Sequence, residues 1–300
     1  MRIARGIALL FCALPCITAC RETPRARAAE LNTIVSARRK QLADRIAKAD
    51  ANRDTRMALA QWIMPPQLRE ISGLVLTSRG TVLTHDDNAG RVYEVDPRSG
   101  VLLKGFSLIG NQKEDFEAIA IAGDDIYLMA SDGKLFRFRE GADGQQVQFI
   151  MFDTGLKLAC EFEGLTYEPD SSRLLMACKR IHDTPSAREV RIYKLPLPLN
   201  RATITAMRIP VDDFIGSNKW KSFRPSDMTI DPITKNWVII ASHEKGIAVV
   251  TPDGEVVRSE PLPGDHRQAE GVAITRDGIL MVSDEANVLP PAITLYRWHP

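Results

Sequence analysis

Five short segments of one design constrain this chain more than anything else in it. Cys160-Glu161-Phe162-Glu163-Gly164-Leu165-Thr166-Tyr167 joins a polar head to an apolar body. The design recurs as Glu70-Ile71-Ser72-Gly73-Leu74-Val75-Leu76, Asp115-Phe116-Glu117-Ala118-Ile119-Ala120-Ile121, Arg224-Pro225-Ser226-Asp227-Met228-Thr229-Ile230 and Gln268-Ala269-Glu270-Gly271-Val272-Ala273-Ile274. Aligned, Ser72, Glu117, Glu163, Ser226 and Glu270 correspond, so the steps are 45, 46, 63 and 44 residues. Periods in the forties are those of propeller blades, each a small antiparallel sheet that must stack on its neighbours to bury both faces.

After each head the chain repeats one grammar of turn, second strand, polar cluster, third strand and fourth strand. Second strands fall at 82–84, 126–130, 174–177, 237–241 and 279–282, and third strands around Tyr93, Phe136, Tyr193, Ile247 and Tyr296. These are β-branched and aromatic compositions. Fourth strands are visible at 102–108, 147–152, 202–210 and 255–262, but the last repeat runs out at Pro300 without one. An unassigned strand-like piece, 58–65, precedes the first repeat, and lending it to the last blade would close the ring without an open edge. The expectation is an all-β chain, a propeller of five four-stranded blades closed by the N-terminal strand. The alternative of six blades would need a blade inside the long step of 63, whose surplus of about 18 residues is too short for four strands of about five; that surplus, near 182–189 and 214–221, reads as long loops.

Residues 1–20 stand outside this pattern. Arg2 and Arg5 precede an apolar run, and Ile17-Thr18-Ala19-Cys20 sets small residues before a cysteine. That is a signal peptide, and its ending resembles a bacterial lipobox, which implies lipidation at Cys20 and a membrane-anchored lipoprotein facing the periplasm. Residues 21–56 carry ten Lys or Arg against five Asp or Glu, with Leu31, Ile34, Val35, Leu42 and Ile46 at helical spacing. This basic linker, helical if structured, is either a spacer or a helix lying on anionic headgroups. Its net +5, with Arg2 and Arg5, leaves −6 for the propeller domain, 57–300, out of +1 overall. A negative, exported domain excludes nucleic acid as a partner.

In a propeller the innermost strand starts, and the second strand ends, on one face, so polar residues at both places converge. The heads bring Glu70, Asp115, Glu117, Glu161, Glu163 and Glu270, and the strand-two ends bring Asp86, Asp132, His243, Asp284 and Glu285. So many carboxylates repel one another unless something positive sits among them. Calcium, which takes six to eight oxygens in tolerant geometry, fits Glu117, Glu163 and Glu270 with Asp115 or Glu161; equally, the heads can be struts that accept backbone N–H bonds between blades. The same face carries Lys179, Arg180 and Arg224, candidates for an anionic ligand or neutralising partners of Glu161, Glu163 and Asp227. Cys160 and Cys178 lie in one hairpin of an exported protein, where a disulfide is favoured; a regular register, however, sets Cys178 opposite Glu163.

The heads Glu-x-Ser-Gly-Leu, Asp-x-Glu-x-Ile and Glu-Gly-Val-Ala, with the later Ser283-Asp284-Glu285, resemble the SdiA-regulated (YjiK-like) β-propeller proteins of bacteria over about 65–300. The resemblance implies a periplasm-facing propeller, with calcium binding and phytase-like hydrolysis proposed in parts of that family. Arg224-Pro225-Ser226-Asp227 departs from it by lacking the acidic head. Two function classes stay open: a noncatalytic envelope module binding a small anionic ligand or a protein, and a metal-dependent phosphoester hydrolase, for which no nucleophile motif stands out.

Overall fold

The structure, a computed structural model, describes residues 24–299. Cys20 and the expected signal peptide lie outside the described residues, and no helix among those described is long and apolar enough to cross a membrane.

Five antiparallel sheets of four blade strands form the ring. The first blade runs Ile71–Leu76, Val82–Asp86, Arg91–Asp96 and Val101–Leu108; the second Phe116–Ala122, Asp125–Ala130, Lys134–Phe138 and Phe149–Asp153; the third Cys160–Glu168, Arg173–Ile181, Glu189–Pro196 and Thr205–Pro210. The fourth runs Asp227–Ile230, Trp237–Ala241, Gly246–Val250 and Val256–Pro261. The fifth blade takes Ala269–Ile274, Ile279–Asp284 and Ala292–Arg297 from the C-terminal end and its outer strand, Ala58–Ile63, from the N-terminal end. Ala60 pairs with Leu295 and Trp62 with Ile293, so the ring closes as its missing strand implies.

Apolar side chains from facing sheets fill the spaces between blades, as between Phe116, Leu128 and Phe136 and the first blade's Leu83 and Val92. At the axis the innermost strands approach too closely for side chains. A Cβ on Gly164 would meet the Met228 nitrogen at 3.1 Å, and one on Gly271 would meet the Gly73 carbonyl carbon at 3.0 Å. Small residues are therefore required at the fourth head position, which reads Gly73, Ala118, Gly164, Asp227 and Gly271 around the ring. Asp227 is the exception, and it is buried, taking the Val272 N–H from the next blade at 2.7 Å.

Four details differ from the sequence expectation. Residues 147–152 do not form one strand: Gln146–Val147 pairs in parallel with Ser107 and Leu108 of the first blade, and only Phe149–Asp153 completes the second. Val147 is drawn across because it is buried in the cluster that holds Phe106 and Leu108. In the surplus between the third and fourth blades, Val211–Ile215 is a short helix whose Phe214 stacks on Phe223 at 4.7 Å between centroids.

The third difference is the basic segment, which is not a free spacer. Pro24–Asn52 is one helix; Leu31 and Ile34 are exposed, but Leu42 and Ala49 are buried against the propeller. Arg38 donates to the Ser99 carbonyl and sits over the Trp62 ring, Arg39 pairs with Asp96 at 2.9 Å, and Asp50 pairs with Arg297. The second half of the helix thus straps the seam between the first and last blades.

The fourth concerns the third blade's register. Bulges at Glu161/Phe162 and Phe162/Gly164 bring Phe162 opposite Cys178, where a regular ladder would place Glu163. One extra residue falls on each strand, so the shifts cancel and Cys160 pairs with Ile181 as a regular ladder would have it, but within the bulged stretch Cys160 comes within 5.7 Å (Cα to Cα) of Cys178 and the disulfide is formed.

Candidate ligand face

The heads deliver their side chains to the axis through the same device. The register between the first two strands shifts at Ile71/Leu74, Phe116/Ala118, Phe162/Gly164 and Ala269/Gly271, so Ser72, Glu117, Glu163 and Glu270 are bulged out of their ladders. A bulge leaves a residue unpaired and re-aims its side chain. Ser72 uses this freedom as a strut, donating to the Glu117 carbonyl of the next blade at 3.0 Å, and Ser226 does the same to Ala269 at 2.7 Å. The three glutamates converge instead on one cation, the Lys179 ammonium. It pairs with Glu163, whose second carboxylate oxygen is buried without a partner, and its charge also favours the ionised forms of Glu117 and Glu270.

One ammonium does not balance three carboxylates. Burial, then the neighbouring Asp115, pushes Glu117 up to about 8, with Lys179 opposing. Burial raises Glu270 to about 7 against the pull of Lys179, with Asp284 adding to the rise. Glu117 and Glu270 therefore share a proton-retaining centre at neutral pH. Asp227, just beneath, is also driven well above the usual carboxylate range by burial, although backbone N–H groups of Val272, Met228, Leu74 and Leu165 act against it.

Of the expected metal set, Glu163 is thus taken by Lys179 and Glu161 by Arg180 at 2.7 Å, while Asp115 is exposed at the rim. The carboxylates that come closest together are others from the same face. Glu70, Asp87 and Glu285 offer ligand oxygens all within 4.8 Å of one another. Burial, then Glu70, lifts Asp87 to about 6, and burial with a hydrogen bond to Glu70 lifts Glu285. Three half-buried oxygen donors that repel one another suit a hard divalent cation, and the donor chemistry fits calcium rather than zinc.

The expected anion-binding residues also come together. Lys179, Arg180 and Arg224 line one cavity of about 530 Å³ between the third and fourth blades, joined by Lys221 and Arg188. Arg180 is paired with Glu161 and Arg188 with Asp212, whereas Lys221 and Arg224 have no carboxylate partner among the described residues. Cys178 is part of the wall, so the disulfide fixes the strand end that carries Lys179 and Arg180. The opposite wall is held by Glu244, which accepts from the Ser222 hydroxyl at 2.5 Å and the Arg224 backbone N–H at 3.1 Å.

The remaining polar residues of this face are scaffold. Asp132 pairs with Lys134 and Lys157, Asp86 caps the turn at Asn88, and exposed His243 lies 3.2 Å from Glu244. Asp284 accepts from the backbone of Arg267 and Gln268 and contacts buried His266 at 2.5 Å, which in turn reaches the Tyr296 hydroxyl at 2.9 Å. Sequence reasoning places Glu244 at a polar strand-two end of this face but not its bonds to Ser222 and Arg224, and it missed His266; both act through loop geometry no repeat encodes. The role of Asp227 was open to detection, since it is the one large residue in a column of glycine and alanine.

No family model and no curated protein sequence matches the chain. Solved structures do. Glutaminyl cyclase from Myxococcus xanthus is similar with a TM-score of 0.56 at 12% identity, over 81% of this chain and 97% of that one. The PQQ-bound aldose sugar dehydrogenase from Streptomyces coelicolor gives 0.54 at 12%, over 80% and 98%. A luciferin-regenerating enzyme gives 0.50 at 10%, over 79% and 95%. Identities this low establish the shared β-propeller architecture and nothing about activity, because propellers carry many unrelated functions.

Proposed function

We propose that this chain is an exported, lipid-anchored binding module of the SdiA-regulated (YjiK-like) kind, whose head-bearing face takes a small anionic ligand in the cavity between the third and fourth blades. The observation that carries the reading is the pair of unpartnered cations, Lys221 and Arg224, on a cavity already walled by Lys179 and Arg180. A guanidinium offers a fork of donors to phosphate or carboxylate oxygens, and an anion bound there removes a charge surplus that the protein itself leaves open. The volume of about 530 Å³ lies within the range of small-molecule sites.

Calcium belongs to the same proposal. Glu70, Asp87 and Glu285 would hold it, with Glu117 and Glu270 as neighbouring acids, and bound there it would supply Lewis-acid charge on the same face. Lys179 links the two regions, since it lines the basic cavity and acts on Glu117, Glu163 and Glu270. A cation-suited cluster and a basic cavity on one propeller face also support the second reading, a metal-dependent phosphoester hydrolase.

Calorimetry of the full chain with phenyl phosphate, with and without calcium, tests the proposal. Binding that weakens about tenfold or more in Arg224→Ala is expected, as for loss of a charge-assisted contact. Equal affinity in the variant, or no heat at millimolar phenyl phosphate, overturns the ligand site. Absence of any calcium heat removes the metal alone. Calcium-dependent release of phosphate from phenyl phosphate would move the assignment to the hydrolase.

A further inference from the structure

The mouth opposite the heads holds a second, larger cavity, of about 650 Å³. It is bounded by the turns that follow the innermost strands of the first, fourth and fifth blades, at Thr77, Pro232 and Thr275, and by Arg39 from the strap helix. Its walls are apolar where the blades meet: Leu76, Leu103, Pro232 and Ile274 face it, and Leu103 is 49% exposed. Its rim carries four arginines, Arg39, Arg79, Arg98 and Arg276. Arg39 is balanced by Asp96 at 2.9 Å and Arg98 by Asp277 at 2.7 Å, the latter across the seam from the first blade to the fifth. Arg79 and Lys104 together balance Glu94 and Glu140. Arg276 is left over: it lines the cavity, is exposed, and has no carboxylate partner among the described residues.

An apolar pocket rimmed by one uncompensated guanidinium matches a ligand with one negative head and an apolar body. We infer that this mouth binds a monoanionic amphiphile, a medium-chain carboxylate or its like, with the head on Arg276 and the chain along Leu76, Leu103 and Ile274. The uncharged body gains by leaving water, the head gains a charge-assisted contact, and the paired arginines of the rim keep the rest of the mouth neutral. Because Arg39 of the helix and Arg98 of the first blade both border the cavity, an occupant touches the strap, the first blade and the fifth at once. Binding there staples the seam, and it raises the melting temperature by mass action.

Decanoate is the probe, measured on the full chain by calorimetry and thermal shift, beside decanol and decylammonium. Decanoate is expected to bind and to raise the melting temperature, decylammonium to bind at least tenfold more weakly, and acetate to compete poorly because it lacks the chain. Arg276→Ala, at an exposed turn, should fold normally and lose about tenfold in decanoate affinity. Leu103→Asp, also on an exposed position, should lose it as well, whereas Arg224→Ala on the other face should not. The inference fails if decanol and decylammonium bind as tightly as decanoate, if Arg276→Ala binds like wild type, if decanoate gives neither heat nor shift, or if Arg224→Ala abolishes the decanoate response.

Discussion

Replacing Lys179 with methionine isolates the charge balance at the axis. Methionine keeps the length and apolar stem of lysine and deletes the ammonium that pairs with Glu163 and favours ionised Glu117 and Glu270. Breaking a buried ion pair by removing one partner costs roughly 3–5 kcal/mol, because the survivor is left charged and unpaired. Glu163 is 4% exposed but Lys179 is 32% exposed, so solvent takes up part of the charge and about 3 kcal/mol is the better figure. At roughly 2–4 °C per kcal/mol for a chain of this class, the melting temperature should fall by about 10 °C at pH 8. The sign of the pH dependence follows from the carboxylates. Their folded-state affinities for protons are raised, to about 8 for Glu117 and about 7 for Glu270, so their stabilisation is full below their unfolded values and is lost as pH rises through 7 to 8. Without Lys179 these groups rise further, and the variant should approach wild-type stability near pH 5 and diverge from it above pH 7. Urea unfolding from pH 5 to 8.5 measures this directly. A loss that is the same at every pH would mean that the ammonium acts only through packing, and the account of a repelling axial centre would be refuted.

Asp227→Ala should cost more than Glu163→Gln, because alanine strands the Val272 N–H at the axis while glutamine still accepts a bond; equal melting temperatures would contradict the part given to Asp227 in joining the fourth and fifth blades. Cys160→Ser with Cys178→Ser should cost about 3 kcal/mol, as for a bond closing a loop of 18 residues, and should also weaken phenyl phosphate binding by freeing the strand that carries Lys179; mass spectrometry of the unreduced chain should find both thiols blocked. Deleting Ala58–Ile63 should abolish cooperative unfolding, and deleting the helix Pro24–Asn52 should lower stability without doing so, since the first removes a sheet edge partner and the second only the strap; identical unfolding curves for the two would refute the distinction. Cys20→Ala should leave the chain in the soluble envelope fraction or unprocessed, and a variant that fractionates with membranes as wild type does would remove the lipid anchor.

The blade count, the strand order and the closure were legible because they depend on spacing and composition, which repeat. What did not repeat was not legible. The docking of the helix rests on Leu42, Ala49 and three arginines bonding to carbonyls or acids of the first and fifth blades, and an apolar stripe so sparse reads equally well as a spacer. The disulfide depended on two bulges, and a bulge shifts register without any marker beyond a glycine nearby. The converging face was legible residue by residue, yet the pairing within it was not. Sequence places Glu117, Glu163 and Glu270 on one axis, but it is the folded geometry that brings Lys179 to Glu163 and draws Glu70, Asp87 and Glu285 together.

The site sits where the repeat is broken, and the break has a physical logic. The second, third and fifth heads contribute an axial glutamate and the first adds Glu70 beside its Ser72, whereas the fourth offers Arg224 and Ser226, so the ring is acidic everywhere except toward the fourth blade, where it is basic. The longest step between repeats, 63 residues, supplies both walls of the basic cavity: His182, Pro185 and Arg188 from its first surplus loop, and Val211 and Lys221 to Arg224 from its second. A regular ring of five identical heads would have a symmetric axis with nothing to orient a ligand. Divergence in one blade makes that axis into a dipolar face, with Lys179 at the boundary between its halves, and residues on long loops held by a rigid scaffold are where binding sites concentrate. The regular blades hold the geometry, and the irregular one holds the cations left without a carboxylate partner among the described residues.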